Sequence, residues 1–284
     1  MGHIEQRFRK CVMQLGVFSK TFERESLEQV LDAVQHHGFS TVQFNFSSAG
    51  LPSMPDSIPE DLAKKIGEEF RARGLTIAAL SGTYNMIHPD IKERELGLKR
   101  LEILASVCND LGTSVITMCT GSRNANNMWK HHPDNNSKEA WRDLVEHLER
   151  ALELAQRYNI ALGVEPEINN VINSAAKART LLDTFQSKNL GIVLDAANLY
   201  QEGDLPDTKG ILQEAFDVLG HDLILAHAKD IKKNGDIIAA GQGDLDYLLY
   251  TNLLKQARFD GAFIAHGQSE AETPGVSQFL HSLL

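Results

Sequence analysis

The sequence predicts an α/β fold, a single (β/α)8 TIM barrel occupying residues 1–284, and three observations predict it. Apolar runs of strand length alternate with amphipathic segments of helix length from end to end. Eight such units fit into 284 residues, close to the ~250 typical of a closed barrel. The residues after the first strand, FSKTFER, offer no Gly-rich phosphate turn of the kind that marks an open doubly wound sheet.

The elements follow in order. The first strand is expected at Val12–Val17. A helix over Ser26–His37 has Ser26 as N-cap and Gly38 as its stop. The second strand is Thr41–Phe46. After a Pro-rich loop, Pro59–Arg73 reads as a helix with proline in its first turn and Gly74 beyond its end. Strand three is Thr76–Leu80, a long helix covers Ile91–Leu111, and strand four is Ser114–Cys119. The longest polar stretch, Thr120–Asn136, precedes a helix over Ser137–Arg157 with Ser137 as cap. Strand five (Ile160–Val164), a helix (Ser174–Gln186), strand six (Leu190–Leu194) and a helix (Thr208–Leu219) continue the alternation. Strand seven (Leu223–Ala226), a glycine-containing loop, a helix (Asp246–Arg258), strand eight (Ala262–Ala265) and a helix (Val276–Leu284) complete it.

Four of the later apolar runs end on a metal-ligand type of residue: ALGVE at Glu165, GIVLD at Asp195, LILAH at His227 and AFIAH at His266. A buried strand that stops on such a group is costly unless the group finds a partner. Strand C-termini converge at one mouth of a barrel, and these residues come from strands five to eight. One shared divalent ion answers all four. Two carboxylates and two imidazoles suit Mn, Zn, Co or Fe better than Mg.

Composition narrows the function classes. Lys and Arg number 28 against 38 Asp and Glu, a formal charge of −10, which disfavours nucleic acid as a partner. Three cysteines (Cys11, Cys108, Cys119) with no CxxC pair argue against a disulfide framework, and Cys11 and Cys119 read as buried inert thiols. The N-terminus has no apolar core of signal-peptide length, and no run approaches a membrane span. A soluble cytoplasmic protein with no membrane partner is the expectation, with self-association left open.

The motifs VEPE (Val164–Glu167), LDAANL (Leu194–Leu199), HAKD (His227–Asp230) and GQGDLDY (Gly241–Tyr247), in that order, resemble the xylose isomerase-like TIM-barrel superfamily of sugar phosphate isomerases and epimerases. The resemblance spans essentially the whole chain. It implies a divalent metal held by Glu165, Asp195, His227 and, at the fourth position, His266. That last position departs from the ketose 3-epimerase branch, in which a Glu there and the strand-five Glu exchange protons on opposite faces of the sugar. Endonuclease IV relatives use three zinc ions and a histidine where this chain has Asn198, so a trinuclear phosphodiesterase site is not expected.

Other residues are placed at the same mouth. Lys229 is a candidate to orient an anionic or hydroxylated substrate, with pairing to Asp230 as the alternative. Asn85 and His88, in SGTYNMIHPD after strand three, are candidates for substrate hydroxyls, loop capping being the alternative. Arg123 and Trp129 in the long strand-four loop are expected to cover the site and shape the pocket. His131 and His132 read as surface residues. Glu167 and Asn198 are candidates to contact substrate or orient a ligand. The reading is a metal-dependent isomerase or epimerase of a sugar or related polyhydroxylated small molecule, working through an enediolate. Glu165, His266 and Lys229 are its catalytic candidates. A metal-dependent dehydratase or lyase and a non-catalytic sugar-binding barrel are the alternatives.

Overall fold

The structure, a computed structural model, describes residues 13–200 and 208–284. Cys11 and Val12 lie outside the described residues. Eight parallel strands close into a ring: β1 (Gln14–Phe18), β2 (Thr41–Phe44), β3 (Thr76–Ser81), β4 (Val115–Cys119), β5 (Ala161–Glu165), β6 (Leu190–Asp195), β7 (Leu223–Ile231) and β9 (Ala262–Ala265). Pairing of β9 with both β1 and β7 shuts the barrel. A ninth strand, β8 (Ile237–Ala239), runs antiparallel to the far end of β7.

The helices α1 (Leu27–His36), α2 (Leu62–Ala72), α3 (Ile91–Leu111), α4 (Lys138–Arg157), α5 (Ala175–Phe185), α6 (Thr208–Leu219), α7 (Tyr247–Gln256) and α8 (Thr273–His281) alternate with the barrel strands. Ser26, Ser137 and Ser174 each accept a backbone N–H of the first turn, which fixes three helix starts as their side chains predict. Helix α2 starts at Leu62, three residues after Pro59; a turn closed by the Leu62 N–H on the Pro59 carbonyl precedes it, and Asp61 makes no side-chain capping bond. Helix α8 starts three residues before the expected Val276, with proline in its first turn.

Alternation along each strand sorts the side chains. Leu15, Val42, Leu80, Ile116, Leu162, Leu194, Ala226 and Phe263 join the core between the strands and the helices. The opposite face supplies Ala79, Val193, Leu225, Ala262 and Ile264, a separate small apolar plug. The same parity continues toward the C-terminal ends of the strands. It turns Gln43, Thr117, Glu165, Asp195, His227 and His266 toward the barrel axis.

Strand β7 outruns its expected end because the chain does not turn after His227. It continues through Lys229 to Ile231 and pairs with β8. The Asp230 carboxylate secures this hairpin by accepting the backbone N–H groups of Ile231, Gly241, Gly243 and Leu245. A Cβ on residue 243 would lie 2.3 Å from Asp230 Oδ1, so the GQGD turn needs glycine there to wrap the carboxylate closely.

Candidate metal centre and active site

Ligand atoms of Asp195, at the end of β6, His227, midway along β7, and His266, just past β9, lie within 4.8 Å of one another. His227 and His266 stack with ring centroids 4.9 Å apart and planes within 5° of parallel, and Phe18 packs on the far side of His266. Glu165 joins through Oε1, 3.3 Å from His227 Nδ1, while Asp195 Oδ2 lies 3.7 Å from the same nitrogen. Neither His227 Nδ1 nor His266 Nδ1 has a hydrogen-bond partner, although both are buried. Two orphaned imidazole nitrogens beside two carboxylates form a donor set that fits a divalent ion of the Zn, Mn, Fe or Co type.

Lys229 enters from the next inward position of β7. Its Nζ lies 2.9 Å from Asp195 Oδ2 and 3.9 Å from Glu165 Oε1. Burial works against the ammonium, but the two carboxylates more than compensate and hold its pKa above the usual lysine value. The alternative pairing with Asp230 does not occur, because that carboxylate is occupied by the backbone of its own hairpin.

Burial also opposes ionisation of Glu165, yet His227 and Lys229 outweigh it and keep the carboxyl below its ordinary range. Glu167 responds the other way: burial, then repulsion from Glu165, pushes it up to about 7. One amide links the two acids, since Asn198 Nδ2 donates to Glu165 Oε1 at 2.8 Å and to Glu167 Oε2 at 2.7 Å. Burial keeps His266 well below the normal histidine value, reinforced by Lys229 and His227.

Glu165, Glu167, His227, Lys229 and His266 line a cavity of about 410 Å³ together with Lys20, Asn45, Ser81, Thr83, Met128 and Trp129, while Asp195 is buried and does not line it. The Trp129 side chain stands over the mouth and is 48% exposed rather than packed down, because the loop that carries it is held by its asparagines. Asn198 is buried behind the two acids and reaches the cavity through them.

Three further sequence candidates face elsewhere. Asn85 bonds both backbone groups of Ser122 and the N–H of Ile87, tying the β3 and β4 loops together. His88 is bound to the Ala125 carbonyl. Arg123 is drawn to Asp143 of α4 and to the Ile87 carbonyl. None of the three lines the cavity. His131 is exposed, and His132 caps the turn at Asp134.

Among the cavity residues that sequence reasoning missed are Gln43, Thr117 and Cys119, beside the ligand cluster. Gln43 is the one polar side chain of TVQF besides the threonine that opens the strand, and every residue of that strand is buried. Cys119 is buried as expected, but at the cavity wall, 3.9 Å from Glu165 Oε2; burial pushes its thiol far upward, which keeps it inert.

The family model described as Xylose isomerase-like TIM barrel matches residues 31–281. Among solved structures, the chain resembles an IolI protein with a bound zinc atom (16% identity, TM-score 0.73, covering 95% of this chain and 96% of that one). It also resembles 3-keto-D-glucoside 4-epimerase YcjR from E. coli (19%, 0.69, 96% and 99%). L-ribulose 3-epimerase is similar again (15%, 0.74, 96% and 95%). At these identities the likeness establishes the fold. A search of curated protein sequences finds no match. Among the described residues, no helix is long and apolar enough to cross a membrane.

Proposed function

This chain belongs to the xylose isomerase-like TIM-barrel family, and from that premise we propose that it is a metal-dependent isomerase or epimerase of a sugar or related polyhydroxylated small molecule. The observation that carries the proposal is the convergence of Asp195, His227 and His266, with Glu165 alongside, at a cavity of sugar size that His227, His266 and Glu165 line. The printed names of the similar structures, two of them sugar epimerases and one a zinc-bound protein, support the same reading.

Glu165, Asp195, His227 and His266 would hold the ion. A divalent ion there would polarise a carbonyl and its neighbouring hydroxyl and stabilise the enediolate that proton removal creates. Glu165, kept ionised, is the base that removes a proton from the carbon beside the carbonyl. Asn198 aims that carboxylate and holds Glu167 next to it. His266, stacked on His227, stands where a symmetrical pair would place a second acid and is the candidate to exchange the second proton. Lys229 steadies an oxyanion or a hydroxylated group of the substrate. Trp129 offers an aromatic face to sugar C–H bonds, and its exposure leaves that face free.

A second reading, dehydration, is favoured by one observation. Glu165 and Glu167 share a single amide donor and so stand on one side of the cavity, an arrangement that serves proton removal and loss of water from one face.

The test is turnover of aldoses, ketoses and polyols in D2O by the metal-loaded protein, followed by NMR. Isomerisation or epimerisation places solvent deuterium on the carbon next to a carbonyl. An unsaturated product identifies dehydration, and binding without any exchange would refute both enzymatic readings.

A further inference from the structure

We infer that Gln43 is a positioning residue that fixes the tautomer of His227, leaving Nδ1 as the bare nitrogen facing the metal site. The inference rests on the metal-binding reading above for its functional meaning and on hydrogen-bond polarity for its content.

The Leu80 carbonyl can only accept, so the Thr117 hydroxyl, 3.2 Å away, spends its single proton there. With that proton given to Leu80, Thr117 Oγ1 accepts from Gln43 Nε2 at 3.0 Å. The amide orientation is thereby set, and Gln43 Oε1 faces His227 Nε2 at 2.7 Å. Two acceptors do not attract each other, so His227 Nε2 carries the hydrogen. In the neutral ring, Nδ1 is then a lone pair.

That lone pair faces Glu165 Oε1 at 3.3 Å and Asp195 Oδ2 at 3.7 Å with no hydrogen bond to either. Three electron-rich atoms turned toward one another need a cation between or beside them. Lys229 supplies one against Asp195, and a divalent ion would satisfy all three. The relay is largely buried at the cavity wall: Gln43, Thr117 and His227 are each at most 4% exposed. It also crosses the barrel, linking β4 to β2 and β2 to β7, so His227 is braced by strands that are not its neighbours. Partners that orient a ligating histidine typically alter metal affinity 10–100-fold when removed.

The experiment compares the full-length protein with Gln43→Leu and Gln43→Glu. Zn2+ affinity is measured by calorimetry, and the His227 ring nitrogens are read by 15N NMR in the metal-free state. Wild type is expected to show the Nε2–H tautomer. Gln43→Leu should lose that preference and bind Zn2+ roughly 10–100-fold more weakly. Gln43→Glu, which keeps an acceptor facing Nε2, should retain both properties. An Nδ1–H tautomer in wild type, or unchanged tautomer and affinity in Gln43→Leu, would overturn the inference. Wild type that binds no Zn2+ while still holding the Nε2–H tautomer would remove the metal reading and leave the tautomer assignment standing. Thermal unfolding of each variant separates these results from loss of the fold.

Discussion

Replacing Lys229 with methionine separates the charge balance of the site from its packing. The Lys229 side chain is 11% exposed and the Asp195 side chain is fully buried, 2.9 Å apart. Removing one member of a buried ion pair typically destabilises by about 3–5 kcal/mol, because the other charge stays behind unpaired. In Lys229→Met two acids, Asp195 and Glu165, are left facing each other without the ammonium. At roughly 2–4 °C per kcal/mol for a chain of this size, Tm in EDTA should fall by roughly 6–20 °C. A divalent ion replaces the missing positive charge, and in wild type it must share Asp195 with the ammonium. The rise in Tm on adding saturating Zn2+ should therefore be larger in the variant than in wild type. Differential scanning calorimetry with and without metal measures both quantities. The double variant Asp195→Asn with Lys229→Met should recover part of the loss in EDTA, because only the more distant Glu165 is then left without the ammonium. A Lys229→Met protein as stable as wild type in EDTA, or with the same metal-induced rise, would refute the reasoning.

Glu165→Gln with metal retained should lower turnover at least about 100-fold in steady-state assays, since it removes the proposed base. Gly243→Ala should displace the Asp230 carboxylate from its backbone donors and destabilise by on the order of 3 kcal/mol, seen in urea denaturation. His147, buried on α4 against the Tyr84 hydroxyl, is depressed to about 4 by burial and then by Arg150. Its folded value lies below the unfolded value of about 6.5, so the unfolded chain binds the extra proton between those limits. Stability from this group is complete above pH ~6.5 and declines as pH falls toward 4, by on the order of 3 kcal/mol. His147→Gln should flatten that part of the stability profile measured by chemical denaturation.

Much of the barrel was legible because its signals are local. Serine caps at Ser26 and Ser137 announce helices in one side chain each. Apolar runs of strand length locate the eight barrel strands to within a few residues. The hairpin of β7 and β8 was not legible. Lys229 and Asp230 break the apolar run, and only the folded hairpin shows that the carboxylate is absorbed by backbone donors. The four strand-end residues stood out because a buried run that stops on Glu, Asp or His demands a partner. Gln43 gave a weaker form of the same signal, and its partner lies 184 residues away. Asn85, His88 and Arg123 failed as pocket residues for the opposite reason. Their partners lie on loops whose positions only the closed barrel defines.

The central claim is that Glu165, Asp195, His227 and His266 share one divalent ion. Crystals grown with Zn2+ and measured on both sides of the zinc absorption edge test it most directly. One anomalous peak bonded to Asp195, His227 Nδ1 and His266, with Glu165 completing the protein ligands, is the predicted result. A peak that excludes His266, or no peak at this mouth of the barrel, would contradict it.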